Sequence, residues 1–348
     1  MAEQTVTIAL DGMGGDNAPR APVEAAARLS REANVRVLLV GRQDELKAEL
    51  GRFEHRADRI ELRHASETIG MADKPRQALD ERPDASVAVA CRAVAEGAAD
   101  AVVSAGSTGA LVLAAARSMP LVEGVKRAAL AAVYPTRERR SSNDRFALLL
   151  DVGANVRCTA EQLVQFAYMG HAYASVISRV EKPSIGLLNL GAEETKGDET
   201  LTTAHRLLRE APGLDFIGNV EGNDLPRGIA DVIVCEGFIG NVVLKMAEGM
   251  VETMKNLGQH AFKSKLAWRL GLMLLHSGLK QVKALTDYSE YGGAPFLGFS
   301  HMVIKAHGRS GSRAIANAVK VSAKAVRGGV PASIRDGVAR LGAVPSER

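Results

Sequence analysis

The strongest constraint on the fold is a repeated alternation of short apolar runs with longer helical patterns. Several runs are apolar almost throughout, which is typical of strands buried on both faces of a parallel sheet. Strands are predicted at residues 6–10, 35–40, 86–90, 101–104, 129–133, 147–151, 184–189 and 232–235. A strand-like run at residues 302–305 and a last helix at residues 314–326 return the chain to the main body.

Between these runs lie segments rich in Ala, Leu, Glu and Arg, at residues 23–33, 93–98, 160–180 and 201–211. This alternation predicts an α/β fold with a doubly wound, mostly parallel sheet and helices on both faces. Ligands of such sheets bind in the crevice at the carboxyl ends of the strands. We therefore expect the functional motifs to follow strands and to meet at one crevice.

Length and composition predict a single domain over residues 1–348, since no low-complexity linker interrupts the chain. A net charge of +4 is too small to indicate nucleic-acid binding. The cysteines Cys91, Cys158 and Cys235 are far apart, and the histidines show no HxxxH spacing, so neither a disulfide framework nor a bound metal is predicted. No signal peptide and no apolar run of the ~20 residues that span a membrane is recognisable, which favours a cytoplasmic protein.

One region departs from the alternation. Residues 253–286 contain six Lys or Arg and no Asp or Glu, and they are interpreted as a helical insertion. This composition is typical of an interfacial amphipathic helix, so an anionic membrane surface is predicted to contact Leu266, Trp268, Leu270 and Leu274. The alternative is that the leucines pack in a subunit interface. Residues 332–348 are predicted to form a loosely ordered tail.

The first motif that can carry chemistry is the turn DGMGGDN at residues 11–17, which contains Asp11, Gly14 and Gly15. It nearly matches the dinucleotide fingerprint GxGxxG, but Asn17 stands where the third glycine belongs. The second predicted strand also lacks a terminal acidic residue that would hold a ribose. Glycines let the backbone approach an anion closely, which indicates phosphate. A tight turn with capping aspartates is the alternative.

The second motif follows the predicted strand at residues 101–104 and contains small residues and hydroxyls before a helix start. This combination favours a cradle for phosphate or an oxyanion. The motif lacks the lysine of a P-loop and the GxSxG of a nucleophile elbow, which disfavours nucleotide hydrolysis and a Ser-His-Asp hydrolase. Its candidate residues are Ser104, Gly106, Ser107, Thr108 and Gly109.

Two further turns also follow predicted strands. Lys196, after the strand at residues 184–189, can neutralise a phosphate or a developing oxyanion, although a solvated lysine is the alternative. Asn241, near the start of a helix predicted at residues 242–256, can donate to an anion or cap the helix. Asn155 and His307 are additional candidates for phosphate binding.

Eight segments in order along residues 5–330 are specific enough to indicate a family. They are IALDGMGGDNAP at 8–19, VSAGSTGAL at 103–111, LLDVGAN at 149–155, QFAYMG at 165–170, GLLNLGAEETKG at 186–197, IGNVEG at 217–222, residues 237–245, and EYGGA at 290–294. Together they resemble the phosphate acyltransferase (PlsX) family of bacterial phospholipid synthesis. Departures are small: Glu236 stands where aspartate is more frequent, and Ala128 where proline is frequent.

The resemblance implies a fold similar to phosphotransacetylases and to the isocitrate and isopropylmalate dehydrogenases, and it implies a homodimer. The implied reaction moves a fatty acyl group from acyl carrier protein to inorganic phosphate. Lys196 and Asn241 are then the predicted catalytic donors, and the other candidates position phosphate and the loops. Since no nucleotide or metal motif is present, no cofactor is expected. The acyl phosphate would pass to a membrane glycerol-3-phosphate acyltransferase, which implies peripheral association with the membrane.

Three other functions remain open from the sequence. An acyl-CoA phosphotransacetylase would use the same turns with a different thioester. An NAD-dependent dehydrogenase would use the same fold with a nucleotide at the first turn. A non-catalytic, membrane-recruited scaffold would need neither Lys196 nor Asn241.

Overall fold

The computed structural model describes residues 5–136, 146–264, 268, 275 and 292–343. Within these residues eleven strands form one sheet. They are β1 (Val6–Asp11), β2 (Val35–Gly41), β3 (Ile60–His64), β4 (Ala101–Ser104), β5 (Ala129–Pro135), β6 (Phe146–Leu150), β7 (Ser184–Leu188), β8 (Asp215–Val220), β9 (Val232–Val234), β10 (Ala294–Leu297) and β11 (Met302–Lys305). Their order across the sheet is β3-β2-β1-β4-β11-β10-β5-β6-β9-β7-β8.

Helices cover both faces of this sheet, as predicted. They are α1 (Arg20–Glu32), α2 (Gln43–Leu50), α3 (Pro75–Glu81), α4 (Ser86–Ala95), α5 (Thr108–Ser118), α6 (Ala160–Ile177), α7 (Glu199–Glu210), α8 (Gly237–Ser264), α9 (Ser312–Arg327) and α10 (Val330–Ala339). Apolar residues of α3, α4, α5 and α8 pack on what we call the first face. The remaining helices pack on the second face.

Strand direction reverses at the centre of the sheet. The pairs β11–β10, β10–β5 and β5–β6 are antiparallel, and the other neighbouring pairs are parallel. The carboxyl ends of β1, β4 and β11 therefore lie at one end of the sheet, called here the Lys305 end. Those of β6, β7 and β9 lie at the opposite, Asp151 end. The expectation that all motifs meet at one carboxyl end is therefore wrong.

The predicted strand at residues 86–90 is also wrong, because these residues begin α4. The segment is buried along its whole length, and a fully buried apolar run has no periodicity that separates strand from helix. Alanines at positions 88, 90 and 93 favour the helix. Packing of α4 against β1 and β2 buries residues 86–91.

The structure also differs from the predicted start of the helical insertion and from the predicted start of the C-terminal tail. The insertion predicted from residue 253 begins inside α8, which continues to Ser264; Leu266, Leu270 and Leu274 lie outside the described residues. Residues 332–343 are helical instead of a loose tail, as α10 followed by a short 3-10 turn. Ile334 and Val338, one helical turn apart, are buried in the core of the second face, where α10 packs on α6.

Candidate active site

The neighbouring strands β1, β4 and β11 each end in a polar residue, and these three residues lie at the Lys305 end of the sheet. Side chains alternate along a strand, so Asp11, Ser104 and Lys305 fall on the first face, in phase with the apolar residues there. Lys305 lies opposite Ser104 in the β11–β4 register. The Ser104 hydroxyl donates to Asp11 Oδ2 at 2.6 Å and accepts from the Gly106 amide at 3.0 Å. Asp11 thereby ties together the turns that follow β1 and β4.

Glycines in these turns allow the turn after β1 to pack closely against the turn after β4. A Cβ on Gly14 would lie 2.4 Å from Asp11 Oδ2 and 2.7 Å from the Gly106 amide nitrogen. Gly15 has a φ of +97°, which other residues rarely adopt. Burial raises the pKa of Asp11, while its hydrogen bond with Ser104 opposes the shift. The contacts described here hold the two turns together, and phosphate binding by these residues stays a prediction.

A cleft of about 740 Å³ lies over β5 and β10, between α5 and α8. Of the predicted site residues, Thr108, Gly109, Asn241 and His307 line it. They come from three distant parts of the sequence. Helix α8 brings Asn241 from the Asp151 end, since the helix crosses the first face in contact with β6 and β5. The cleft thus joins groups from both ends of the sheet.

The sequence interpretation missed Lys305, which lines the same cleft. Its side chain is 7% exposed, and Nζ donates to the carbonyl oxygens of Ala105, at 3.2 Å, and Ala306. Burial lowers the pKa of Lys305 to about 8, and the Asp11 and Asp16 charges partly oppose this. One signal was available in the sequence, since a lysine ends the otherwise apolar strand Met302–Lys305 on the face where buried residues are expected.

An arginine, a histidine and a helix N-terminus lie near this lysine. Arg309 and His307 line the cleft next to it, and the N-terminus of α5 follows Ser107, whose side chain makes no capping hydrogen bond. Burial lowers the pKa of His307, and the charges of Lys305 and Arg309 lower it further. Helix N-termini and cations both favour anions. The Lys305 end of the cleft is therefore suited to an anion such as phosphate.

At the other end of the cleft, Asn241 Nδ2 donates to the Val152 carbonyl at 3.1 Å. A primary amide has two N–H donors, so one remains for a ligand. Asn155 instead uses its Nδ2 to donate to Ala128 and to the buried carboxylate of Asp151, which also accepts several backbone amides. Asn155 therefore stabilises the turn after β6 and does not line the cleft.

Lys196 is placed apart from the other candidates. It follows β7 at the Asp151 end and does not line the cleft. Its side chain is 48% exposed, with Nζ 3.9 Å from Glu193 Oε1. Exposed pairs of this kind contribute little to stability. A catalytic role for Lys196 stays a prediction.

The cysteines are poor candidates for a covalent acyl intermediate, because a thiolate is the reactive form. Burial raises the pKa of Cys158 to about 11, and it also raises the pKa values of Cys91 and Cys235. All three are buried.

Cys158→Ser is accordingly expected to leave kcat for acyl transfer unchanged, because direct attack needs no thiol. The check is steady-state kinetics beside a circular dichroism spectrum. Loss of turnover in a folded variant would instead point to a thioester on Cys158.

The described ranges 5–136, 146–264 and 292–343 contain no group of three or more His, Cys, Asp and Glu side chains able to hold a metal ion. None of the helices in these ranges is long and apolar enough to cross a membrane.

The fold is a mostly parallel α/β architecture that is also found in two solved structures. A phosphotransacetylase from Streptococcus pyogenes superposes with a TM-score of 0.64 at 18% identity, covering 92% of this chain and 94% of that one. A putative 4-hydroxythreonine-4-phosphate dehydrogenase from Salmonella typhimurium gives 0.51 at 15% identity, covering 93% and 100%. At such identities the likeness establishes the architecture alone.

Sequence comparison identifies the family. The family model described as fatty acid synthesis protein matches residues 6–333. A phosphate acyltransferase from Dictyoglomus turgidum is 44% identical over 96% of this chain and 98% of that protein. One from Heliobacterium modesticaldum is 44% identical over 94% and 96%. The chain belongs to the phosphate acyltransferase family, which confirms the resemblance, and it is an acyltransferase.

Proposed function

We propose that the chain transfers a fatty acyl group from acyl carrier protein to inorganic phosphate and releases acyl phosphate for phospholipid synthesis. The observation that carries this proposal is Lys305, a buried cation that lines a partly apolar cleft. Relatives named phosphate acyltransferase support the acceptor. The sequence resemblance supports the donor and a fold shared with isocitrate and isopropylmalate dehydrogenases.

The reaction requires the protein to position phosphate and to stabilise the negative charge that develops on the thioester oxygen. A phosphate oxygen attacks the thioester carbon, the C–O bond forms and the C–S bond breaks. The carrier leaves as a thiolate, which takes up the proton that hydrogen phosphate loses on becoming acyl phosphate. The protein must hold phosphate about 3–3.5 Å from that carbon and stabilise the tetrahedral oxyanion. Lys305, Arg309 and the start of α5 would hold phosphate. Asn241 would donate its second N–H to a substrate oxygen.

The decisive experiment incubates the pure protein with palmitoyl-acyl carrier protein and phosphate and follows the free carrier thiol. Thiol release that requires phosphate, and that persists after chelator treatment without nucleotide, supports the proposal. Faster release from palmitoyl-CoA would favour an acyl-CoA phosphotransacetylase. Nicotinamide reduction with candidate acids would identify a dehydrogenase, and no turnover of any kind would favour a scaffold.

The pH dependence tests the charge on Lys305. In the free enzyme kcat/KM for phosphate should fall as pH rises through about 8, because the lowered pKa removes the ammonium charge there. Arginine stays charged at these pH values, so Lys305→Arg should shift the fall to higher pH. The ratio of the two profiles cancels the ionisation of phosphate itself. Identical profiles would contradict the assignment.

We propose that the protein is a homodimer that meets its partner through α8. Six apolar side chains, 44–66% exposed, form a stripe along this helix at spacings of three and four residues. They are Ile239, Val242, Met246, Met250, Met254 and Leu257. At 1.5 Å per residue the stripe is about 27 Å long. It lies opposite the face that carries Asn241 and Leu244 into the cleft, so a second copy can cover it without blocking the site.

We also propose that the protein is cytoplasmic and binds membranes peripherally, where a membrane glycerol-3-phosphate acyltransferase would take up acyl phosphate. Trp268 and Leu275 are 48% and 61% exposed. Each of the six Lys and Arg in residues 253–286 contributes roughly 1 kcal/mol near an anionic surface.

Vesicles rich in anionic lipid are therefore expected to sediment the protein and to shift the emission of Trp268 to the blue. Leu270→Glu with Leu274→Glu should abolish binding while soluble transacylation and dimer mass stay unchanged. Dissociation of this variant into monomers would assign the segment to the subunit interface instead.

A further inference from the structure

Four exposed cations lie on the turns at the Lys305 end of the sheet. Arg20 is the first residue of α1, and Arg309 follows β11 and lines the cleft. Lys74 and Arg76 flank Pro75, the first residue of α3. We call the four residues Arg20, Lys74, Arg76 and Arg309 the cationic rim.

Contacts between loops bring the rim residues together. Asn17 Nδ2 donates to the Arg309 carbonyl at 3.2 Å, which ties the turn before α1 to the turn after β11. A Cβ on Gly308 would lie 3.1 Å from Met71 Cε, so the loop before α3 packs on the same turn. Met71 itself lines the cleft and is 53% exposed. The rim therefore lies beside an opening of the cleft at the Lys305 end.

Nearby carboxylates do not neutralise the rim. Two of them, beside Lys74 and Arg76, already pair with other arginines: Asp73 with Arg82 at 2.7 Å and Asp80 with Arg117 at 2.8 Å. Asp16 and Glu24 add two negative charges near the start of α1, against the four positive charges of the rim. This part of the surface therefore keeps a net positive charge.

The helices that begin at this end carry cations where helix stability favours acids. Carboxylates stabilise a helix N-terminus, and cations there are unfavourable. The first turns of α1, α3 and α9 contain no acid, and each contains an arginine, at positions 20, 76 and 313. At the Asp151 end, by contrast, α6 and α7 have Glu161 and Glu199 in their first turns. Helix stability does not explain these arginines, whereas recognition of an anionic partner does.

We infer that the cationic rim, together with Met71, is the surface that docks acyl carrier protein. This inference rests on the proposed function and adds the place where the partner binds. The carrier is an acidic protein, so opposite charges would steer it to this end of the sheet. Its thioester arm has to enter the cleft and reach Lys305, and the rim lies beside that opening. The exposed, flexible Met71 side chain offers the carrier an apolar contact.

The test compares octanoyl-acyl carrier protein with octanoyl-pantetheine, which has the same thioester but no protein. Lys74→Glu with Arg76→Glu is expected to lower kcat/KM for the carrier by about tenfold, with kcat/KM for octanoyl-pantetheine unchanged. Added salt should lower the wild-type value for the carrier more steeply than that of the variant, because salt screens exposed charges. The variant should melt no lower than the wild type, since it replaces cations with acids at the start of α3.

Arg36→Glu with Lys47→Glu is the matched control. It makes the same change of charge away from the rim, because Arg36 lies near the opposite end of the sheet in β2 and Lys47 lies in the last turn of α2. Both side chains are exposed. This variant should keep the wild-type kcat/KM for both donors.

Three results would overturn the inference. Equal losses with both donors would mean that the rim acts on the reacting groups, and unchanged values would place the carrier elsewhere. Loss of binding to anionic vesicles alone would assign the rim to a membrane. If the wild type releases no thiol with phosphate, the proposed function fails, and fluorescence anisotropy of labelled carrier tests the inference separately. Weaker carrier binding by the rim variant than by the control would support it, and equal binding would contradict it.

Discussion

Lys305→Met is expected to lower kcat/KM for phosphate by about 10²–10³ without unfolding the protein. Methionine keeps the length and the apolar stem of the side chain and removes the charge that would neutralise phosphate and the developing oxyanion. Lys305 is the one Lys or Arg that is buried among the residues the structure describes. Steady-state kinetics over a range of phosphate concentrations, with a thermal melt, gives both quantities.

The matched comparison is with the lysine outside the cleft. Lys196→Ala tests the catalytic role predicted from the sequence. If the cleft alone carries the reaction, this variant should keep most of the activity, because the Lys196 side chain is half exposed and does not line the cleft. Asn241→Ala is expected to lower kcat/KM by about 10²-fold, which is the usual effect of removing one oxyanion donor. Near-normal rates for Lys305→Met beside a large loss in Lys196→Ala would reverse the assignment and restore the residue that the sequence predicted.

Met250→Lys together with Met254→Lys is expected to convert the proposed dimer into a monomer. Burying a side chain of this size contributes about 1.5–3 kcal/mol, and a symmetric interface loses each contribution twice. The new lysines would also have to enter an apolar contact without partners. Light scattering coupled to size-exclusion chromatography measures the mass over a dilution series.

Leu190→Lys provides the control for that variant. Leu190 is 84% exposed, but it lies in the turn after β7 and outside the stripe on α8, so its replacement should leave the dimer intact. Should the double variant keep the wild-type mass while Leu190→Lys does not, the interface lies at the Asp151 end of the sheet instead.

The strands predicted correctly are those in the interior of the sheet, where burial on both faces leaves a continuous apolar run. Two of those missed, β3 and β8, lie at the sheet margins. Strand β3 is half-buried and contains Glu61 and Arg63, so its composition resembles a loop. The segment Ser86–Ala95 failed for the opposite reason. Its residues 86–91 are all buried, and burial removes the polar positions from which the helical period is read.

The turns after β1 and β4 were recognisable as special because their glycines and hydroxyls are needed locally. What these turns do could not be read from the sequence. Whether Gly14 binds an anion or makes room for Gly106 depends on how closely two strands approach, and residue types alone do not encode that distance.

By itself the sequence determined the α/β class, the helices on both faces, the family and the residues of the turns, since these depend on local periodicity and on motifs read along the chain. Only the tertiary structure decided that strand direction reverses at β10 and β5, which sends Lys196 and Lys305 to opposite ends of the sheet. It also placed Asn241 in the cleft through the path of α8. The Lys305 ammonium donates to the carbonyl oxygen of Ala105, which is 200 positions away in the sequence. Such a contact follows from the order in which strands pair, because chain connections set that order and a local pattern does not.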